Sequence, residues 1–356
     1  MSMEIQKTPQ LTWISGTAFD LFISLYVLHH PDRFGLRASW AAGVRSRLPQ
    51  ADREFLERAQ NFLAAPLSWL LSIGNDLSAR AALHALAELP AAERLAALTR
   101  NADPSKDFLL VIRKIQQTGA FSAEDVQIVA NEYSRRSGEM RPQAAIELCK
   151  AWCQPADFGR DYLQALNSYY AVFFEEEERR IQPALASGLA EARSLAGQLP
   201  LPELLERLTH GVHSVNWYTA REIILAPSFW STPLIFNNPI GADKVILVFG
   251  SRPKAQTIVP GGSLPETLVE ALKALADPTR LRILRHLSSQ PLNPTELAHR
   301  LRLRAPTVIH HLNALRLAGL VAVSLQADGE RRYTLRRDVL QEHMHELTAF
   351  IDHPHN

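Results

Sequence analysis

The sequence predicts a mainly α-helical protein. A large helical N-terminal region with a small antiparallel β-meander is followed by a C-terminal module of different pattern. Three observations predict it. Residues 11 to about 208 are dominated by Ala, Leu, Glu and Arg, with breaks at Pro66, Gly74, Pro90, Gly119, Gly138, Pro142 and Pro155. After about residue 210, the runs REIILAPS, TPLIFNNP and KVILVFGS are short, β-branched or aromatic, and separated by Pro, Asn and Gly. From residue 264 onward, capped helix starts follow one another and give way to an alternating hairpin pattern. The expected divisions are 1–208 for the helical region, 209–260 for the meander and linker packed on it, and 261–356 for the C-terminal module. Pro260-Gly261-Gly262 marks the last junction.

The elements follow in chain order. LTWISGTAFDLFISLYVL is the most apolar stretch, yet Asp20 interrupts it and it is short for a membrane span, so it predicts a buried helix and no membrane. Ser122-Ala-Glu-Asp125 supplies a hydroxyl cap and first-turn carboxylates, and Val126, Val129, Ala130 and Tyr133 then recur at helical spacing. Glu175 to Glu178 followed by Arg179-Arg180 reads as a solvated helix face with opposite-charge pairing. Cys149 and Cys153, four apart on one predicted helix face, read as buried and inert rather than as a soft-metal or redox pair. His210 and His213 lack a third ligand. The aromatics Trp217, Tyr218, Phe229, Trp230 and Phe236 predict a core joining sheet to helices, with an effector pocket as the alternative.

With 356 residues, 46% of them hydrophobic and 21% charged, the chain can bury a large core in two or three domains. Its formal charge of +1 hides an asymmetry. Leu264 to Val339 carries twelve Lys/Arg against seven Asp/Glu, leaving 26 basic and 30 acidic residues elsewhere. A basic module on a mildly acidic body points to nucleic acid at one end. Only two cysteines, and a start MSMEIQKTPQ without signal-peptide layout, lead to an expected cytoplasmic location.

In the C-terminal module, Ser263-Leu-Pro-Glu266 and Asn293-Pro-Thr-Glu296 each place a capping side chain three residues before Glu. Asp277-Pro278 offers an N-cap followed by Pro at the first helical position. Ala305-Pro306 has the Pro without a good cap. The helices then fall near 264–276, 278–288, 294–301 and 306–318. Gly319 suits a left-handed helix end, and Asp328-Gly329 between alternating runs is a two-residue hairpin signal. Helix, helix, short turn, helix and hairpin together describe a winged helix-turn-helix.

On these residues the chain resembles the ArsR (arsenic-repressor) family of bacterial regulators. LADPTRLRILRHL, TELAHRL, PTVIHHLNALRLAGLV and DGERRYTL occur in the family's order over about residues 264 to 340. Residues 1 to 260 lie outside that module; they resemble the long N-terminal region of some members, which assigns no ligand. The resemblance implies DNA binding, repression and a dimer formed through the first and last helices. In the last, Leu340, Met344, Leu347 and Ile351 share a face, which alternatively packs on the N-terminal region. Metal-sensing members carry Cys-x-Cys in the helix that here reads TELAHRL, without cysteine. A second family metal site lies on the last helix, but Asp338, His343, His345, Asp352, His353 and His355 do not match its spacing. No metal and no cofactor are expected.

Successive helical residues sit about 100° apart, which sorts RAPTVIHHLNALRLAGLV into faces. Val308, Leu312 and Leu315 form the buried face, with His311 beside it as a hydrogen-bonded structural residue. Thr307, His310 and Asn313 point outward, flanked by Ile309 and Arg316, and suit a helix that reads base edges in the major groove. Ile309 stands where the family commonly has serine, and an isoleucine suits a thymine methyl instead. Arg300, Arg302 and Arg304 precede this helix and are expected on phosphates; Arg331 and Arg332 follow the hairpin turn and are expected on the minor groove or backbone. No nucleophile elbow, phosphate-cradling loop or zinc-binding helix motif occurs, so no catalytic residue is expected. The expected function is a sequence-specific DNA-binding transcriptional regulator, a repressor. Its expected partners are double-stranded DNA, a second copy and an unidentified effector. The competing readings are an enzyme, or a protein-interaction module, with an appended winged helix.

Overall fold

The computed structural model describes residues 8–100, 103–137, 140–253, 256, 266–326 and 330–352. The helical region runs through α1 (Thr17–His29), a 3-10 turn at Pro31–Phe34, α2 (Ala38–Arg45), α3 (Gln50–Ala59), α4 (Leu67–Leu70), α5 (Ala79–Glu88) and α6 (Ala91–Leu98). It continues as α7 (Lys106–Thr118), α8 (Ala123–Ser137), α9 (Pro142–Cys153), α10 (Pro155–Tyr169), a π-helical stretch at Tyr170–Phe174, α11 (Glu175–Ala196) and α12 (Leu201–Leu208). The strands are β1 (Gln10–Trp13), β2 (Val212–Ser214), β3 (Glu222–Ser228), β4 (Phe236–Ile240), β5 (Lys244–Gly250), β6 (Val321–Leu325) and β7 (Arg331–Leu335). The short helix α13 (Val215–Thr219) joins β2 to β3. Ser122 caps α8 as expected: its Oγ accepts from the Asp125 amide at 3.3 Å, and the Asp125 carboxylate accepts from the Ser122 amide at 2.8 Å.

The body sheet corrects the expected antiparallel meander. Its order is β1-β3-β5-β4; β1, β3 and β5 are parallel, and only β4 runs antiparallel, against β5. The reason lies in the unbroken apolar runs of β3 and β5. Their alternate residues enter two different cores: Ile224, Ala226, Ile246 and Val248 face the large helical core, while Ile223, Leu225, Leu247 and Phe249 pack with Leu204, Leu205 and Trp217. A strand buried on both faces reads as continuous hydrophobics and belongs in a covered parallel sheet, whereas a meander exposed on one face alternates. β4 does alternate, and it takes the edge, where Pro239 deprives no neighbour of a donor. The other edge strand, β1, comes from the start of the stretch read as one helix; the helix itself begins at Thr17 and is buried from Thr17 through Leu25.

Asp20 ties that helix to the end of β3. Its carboxylate is fully buried and accepts from Ser228 Oγ at 2.7 Å, the Trp230 amide at 2.9 Å and the Phe229 amide at 3.3 Å. Burial outweighs these donors and pushes its pKa up to about 7, with Glu177 adding to the rise. Glu177 in turn accepts from Trp230 Nε1 at 3.0 Å.

The C-terminal module folds at the expected places: α14 (Glu266–Leu275), α15 (Pro278–Leu287), α16 (Pro294–Leu301), α17 (Ala305–Leu317), the β6–β7 pair and α18 (Arg337–Asp352). The Asp277 cap forms, with its Oδ1 accepting from the Arg280 amide at 2.9 Å. The Asn293–Glu296 capping box closes in both directions, at 2.7 and 2.8 Å. Ser263, Asp328 and Gly329 lie outside the described residues. Gly319 follows α17 at φ +68°. Ile283, Leu287, Leu297, Leu301, Val308, Leu312, Leu315 and Tyr333 form the module's own core.

The body and the module share a sheet. β2 pairs in parallel with β6, so the wing sheet has the order β2-β6-β7. The Gly211 carbonyl accepts from the Val323 amide at 2.9 Å. Gly211 is left-handed, φ +83°, and a Cβ there would lie 3.0 Å from Ala322 Cβ and Arg336 Cδ. A glycine is therefore what lets the chain leave α12 and lie along the wing. His213 lies in this strand rather than on a helix with His210. A second contact brings the Pro31–Phe34 turn against α17, with Gly35 beside the Glu270 side chain of α14.

Candidate nucleic-acid interface

The outer face of α17 is where sequence reasoning placed it. Val308, Leu312 and Leu315 are fully buried, while Thr307, Ile309, His310 and Asn313 are exposed, Ile309 at 42%. A helix presenting a methyl-bearing residue, an imidazole and an amide side by side can offer hydrogen bonds and an apolar contact to base edges. His310 and His311 diverge, their rings 5.9 Å apart and inclined at 66°. His311 turns inward toward the Asp277 cap, Nδ1 to Oδ1 3.9 Å, beyond hydrogen-bond reach. Burial lowers its pKa, partly opposed by Asp277, so the ring favours its neutral form.

The arginines divide into two groups. Arg300, Arg302, Arg304 and Arg331 are exposed. Arg302 occupies the tight turn between α16 and α17 with a left-handed backbone, φ +56°, unusual for a residue with a Cβ, and the Leu303 amide closes the turn on the Ala298 carbonyl at 2.9 Å. Arg304 is the residue before α17; its guanidinium is a donor only and cannot cap the helix start. Arg332 is held by carboxylates of the protein, and Arg316 is drawn out of solvent. Arg316 is half-buried between α17 and the wing, near Tyr333 and Arg331, and burial lowers its pKa. Arg332 Nε donates to Glu330 at 2.9 Å, and its Nη1 lies 3.8 Å from Glu296. Asn293 binds the same Glu330 at 2.6 Å, so the cap of α16 and the base of the wing are one network. Arg316 lies two turns beyond Ile309 and about 20° from it around the helix, at the edge of the outward set, where it comes near Tyr333 of the wing.

The last helix leaves its apolar stripe partly open. Leu340 packs on the module core, but Met344 and Ile351 are 40% and 67% exposed, and Phe350 beside them is 37% exposed. His343 is buried, its Nε2 3.0 Å from the Ala318 carbonyl at the end of α17 and its Nδ1 3.3 Å from Glu346. Asp338 lies 3.7 Å from Arg336, and His345 contacts the Gln341 carbonyl at 3.0 Å. His353 and His355 lie outside the described residues. Among the described residues no group of three or more His, Cys, Asp and Glu is disposed to hold a metal, and no helix is long and apolar enough to cross a membrane. Cys149 and Cys153 are free thiols; burial pushes Cys149 up to about 11 and raises Cys153 as well, which keeps both protonated.

Of the aromatic segment, Trp217, Phe229 and Trp230 are core residues. Trp217 also floors a cleft of about 280 Å³ between α13 and the β4–β5 turn, with Ser214, Asn216, Thr219, Asp243 and Lys244 around it. Sequence reasoning missed this cleft because its walls come from two separated segments.

A family model described as "Bacterial regulatory protein, arsR family" matches residues 277–323, from the Asp277 cap into the first wing strand. The chain is also 42% identical over 64 residues to an uncharacterized HTH-type transcriptional regulator of Methanocaldococcus jannaschii, a stretch covering 18% of this chain and 67% of that protein.

Proposed function

This chain belongs to the ArsR family of bacterial regulatory proteins, and we propose that it is a DNA-binding transcriptional regulator, a cytoplasmic repressor whose body sets the activity of its reading head. The observation that carries this reading is the exposed face Thr307, Ile309, His310 and Asn313 on a helix whose opposite face is locked into the module core. α17 enters the major groove with that face toward the bases. Arg300, Arg302 and Arg304 meet phosphates at one side, and Arg331 of the wing meets the backbone or minor groove at the other. Arg316 and Arg332 serve chiefly to brace the wing.

Two copies act together. The exposed Met344, Phe350 and Ile351 of α18, with Leu272 of the adjoining α14 at 37% exposure, form the surface that a second copy covers. One reading head has a limited footprint, and pairing two gives the length an operator needs. The effector acts through the body. The cleft beside α13 directly follows β2, the strand docked on the wing, so a small polar ligand seated there bears on wing position without touching DNA. It shifts the equilibrium between two dimer arrangements only so far as it binds one of them more tightly.

The test is selection of duplexes from a random pool with the full chain, repeated with His310→Ala and Asn313→Ala. The expected result is one enriched motif for the parent protein and relaxed preference at one or two neighbouring positions in each variant, about 1–3 kcal/mol per base. Unchanged preferences in both variants would remove α17 as the reading helix.

A further inference from the structure

The Pro31–Phe34 turn lies against α17, yet Thr307, Ile309, His310 and Asn313 stay exposed, so the body abuts the flank of the reading helix without covering its face. The segment beginning at this turn is cationic: residues 31–47 hold Arg33, Arg37, Arg45 and Arg47 against one carboxylate, Asp32. Arg33 and Arg37 are exposed, and so is Arg141 at the start of α9. Arg141 belongs to the same patch: burial lowers the pKa of His30, and after the opposing Tyr26 carbonyl the further lowering comes from Arg33, Arg141 and Arg45. Arg33 donates to a neutral partner, the Tyr26 hydroxyl, at 2.8 Å. Among the described residues, none of Arg33, Arg37 and Arg141 is ion-paired with a carboxylate. Glu270 of the winged helix, which lies beside Gly35, is taken by Lys273 at 2.7 Å.

The major groove is about 12 Å wide and walled by phosphates. A protein segment touching the flank of a helix in that groove therefore sits at the wall. We infer that Arg33, Arg37 and Arg141 of the N-terminal body bind DNA phosphates beside the half-site, extending the footprint of the winged helix with sequence-independent contacts. This rests on the DNA-binding reading above and adds a second surface to it. It also gives the body a direct role on the operator: a body displaced from α17 takes its phosphate contacts with it.

The experiment measures affinity of the full chain for a selected duplex and a scrambled duplex over a series of salt concentrations, for the parent protein, the triple variant Arg33→Ala/Arg37→Ala/Arg141→Ala, and the triple Arg→Lys variant. Each phosphate contact contributes about 0.9 to the slope of log affinity against log salt. The triple alanine variant is expected to lose roughly 2 to 3 from that slope. It is also expected to weaken on both duplexes by the same factor and to keep the parent's base preferences, while the lysine variant keeps the parent slope. A parent slope retained in the alanine variant overturns this inference and leaves the winged helix as the whole interface. Absence of salt-sensitive binding by the parent protein overturns both readings.

Discussion

Gly211→Ala tests whether the body and the wing are joined as one mechanical unit. Two costs arise at this position. A left-handed backbone, φ +83°, costs a residue with a Cβ roughly 1–2 kcal/mol. The new Cβ also meets Ala322 Cβ and Arg336 Cδ at 3.0 Å, inside the optimal carbon separation of about 3.5–4.0 Å. The arginine stem can swing away, but Ala322 is fixed on β6, so β2 must shift off the wing. The combined penalty is roughly 2 kcal/mol or more, and each 1.4 kcal/mol is about tenfold in an equilibrium. Native-state hydrogen exchange reads this at the Val323 amide, which donates to the Gly211 carbonyl. Its exchange should accelerate about 30-fold or more, with amides inside α17 unaffected. Gly241→Ala is the control: it has a similar left-handed backbone, φ +66°, but open space around its Cβ. If Val323 exchanges at the parent rate in Gly211→Ala, or equally fast in both variants, the strand joint is not what holds the wing.

Leu312→Ala empties a fully buried position at the centre of α17 and should cost about 2–5 kcal/mol, seen as a lower urea midpoint for the winged-helix module; an unchanged midpoint would mean the helix is not anchored there. Arg331→Ala should reduce the salt slope of DNA binding by about 0.9, while Arg332→Ala, already engaged by Glu330 and Glu296, should change it little; equal effects would contradict the division between free and braced arginines. Asp20 supplies a pH test with a defined sign. Its folded pKa of about 7 lies above the ordinary 3.8, so the folded state holds the proton more tightly than the unfolded chain. The stability it contributes is full below about pH 4 and is lost as pH rises through about 7. Asp20→Asn should therefore flatten that part of the melting-temperature profile, and a variant profile parallel to the parent's would show that Asp20 is ionised throughout.

The C-terminal module was legible because local chemistry specifies it. Asp277-Pro278 and Asn293-Pro-Thr-Glu296 fix helix starts by hydrogen bonds within four residues, and Val308, Leu312 and Leu315 fix the buried face by spacing alone. The body sheet was not legible. Strand partners are set by which faces become covered, and nothing near Gln10 or Val212 announces that one will pair with β3 and the other with the wing. The unbroken apolar runs of β3 and β5 did carry the signal for a doubly covered parallel sheet. Among the interface residues, exposure at Thr307, His310 and Asn313 followed from the helical period. The engagement of Arg332 did not, since Glu296 and Glu330 reach it from separate elements.

Base reading by α17 is tested most simply by titrating a fluorescent duplex carrying the enriched motif with the purified chain, in parallel with a scrambled duplex, at low and moderate salt. The expected result is tighter binding to the motif at both concentrations, weakening of both complexes with salt, and loss of the motif's advantage in Asn313→Ala. A folded protein that leaves both duplexes unbound at low salt, or binds them equally with or without Asn313, would contradict it.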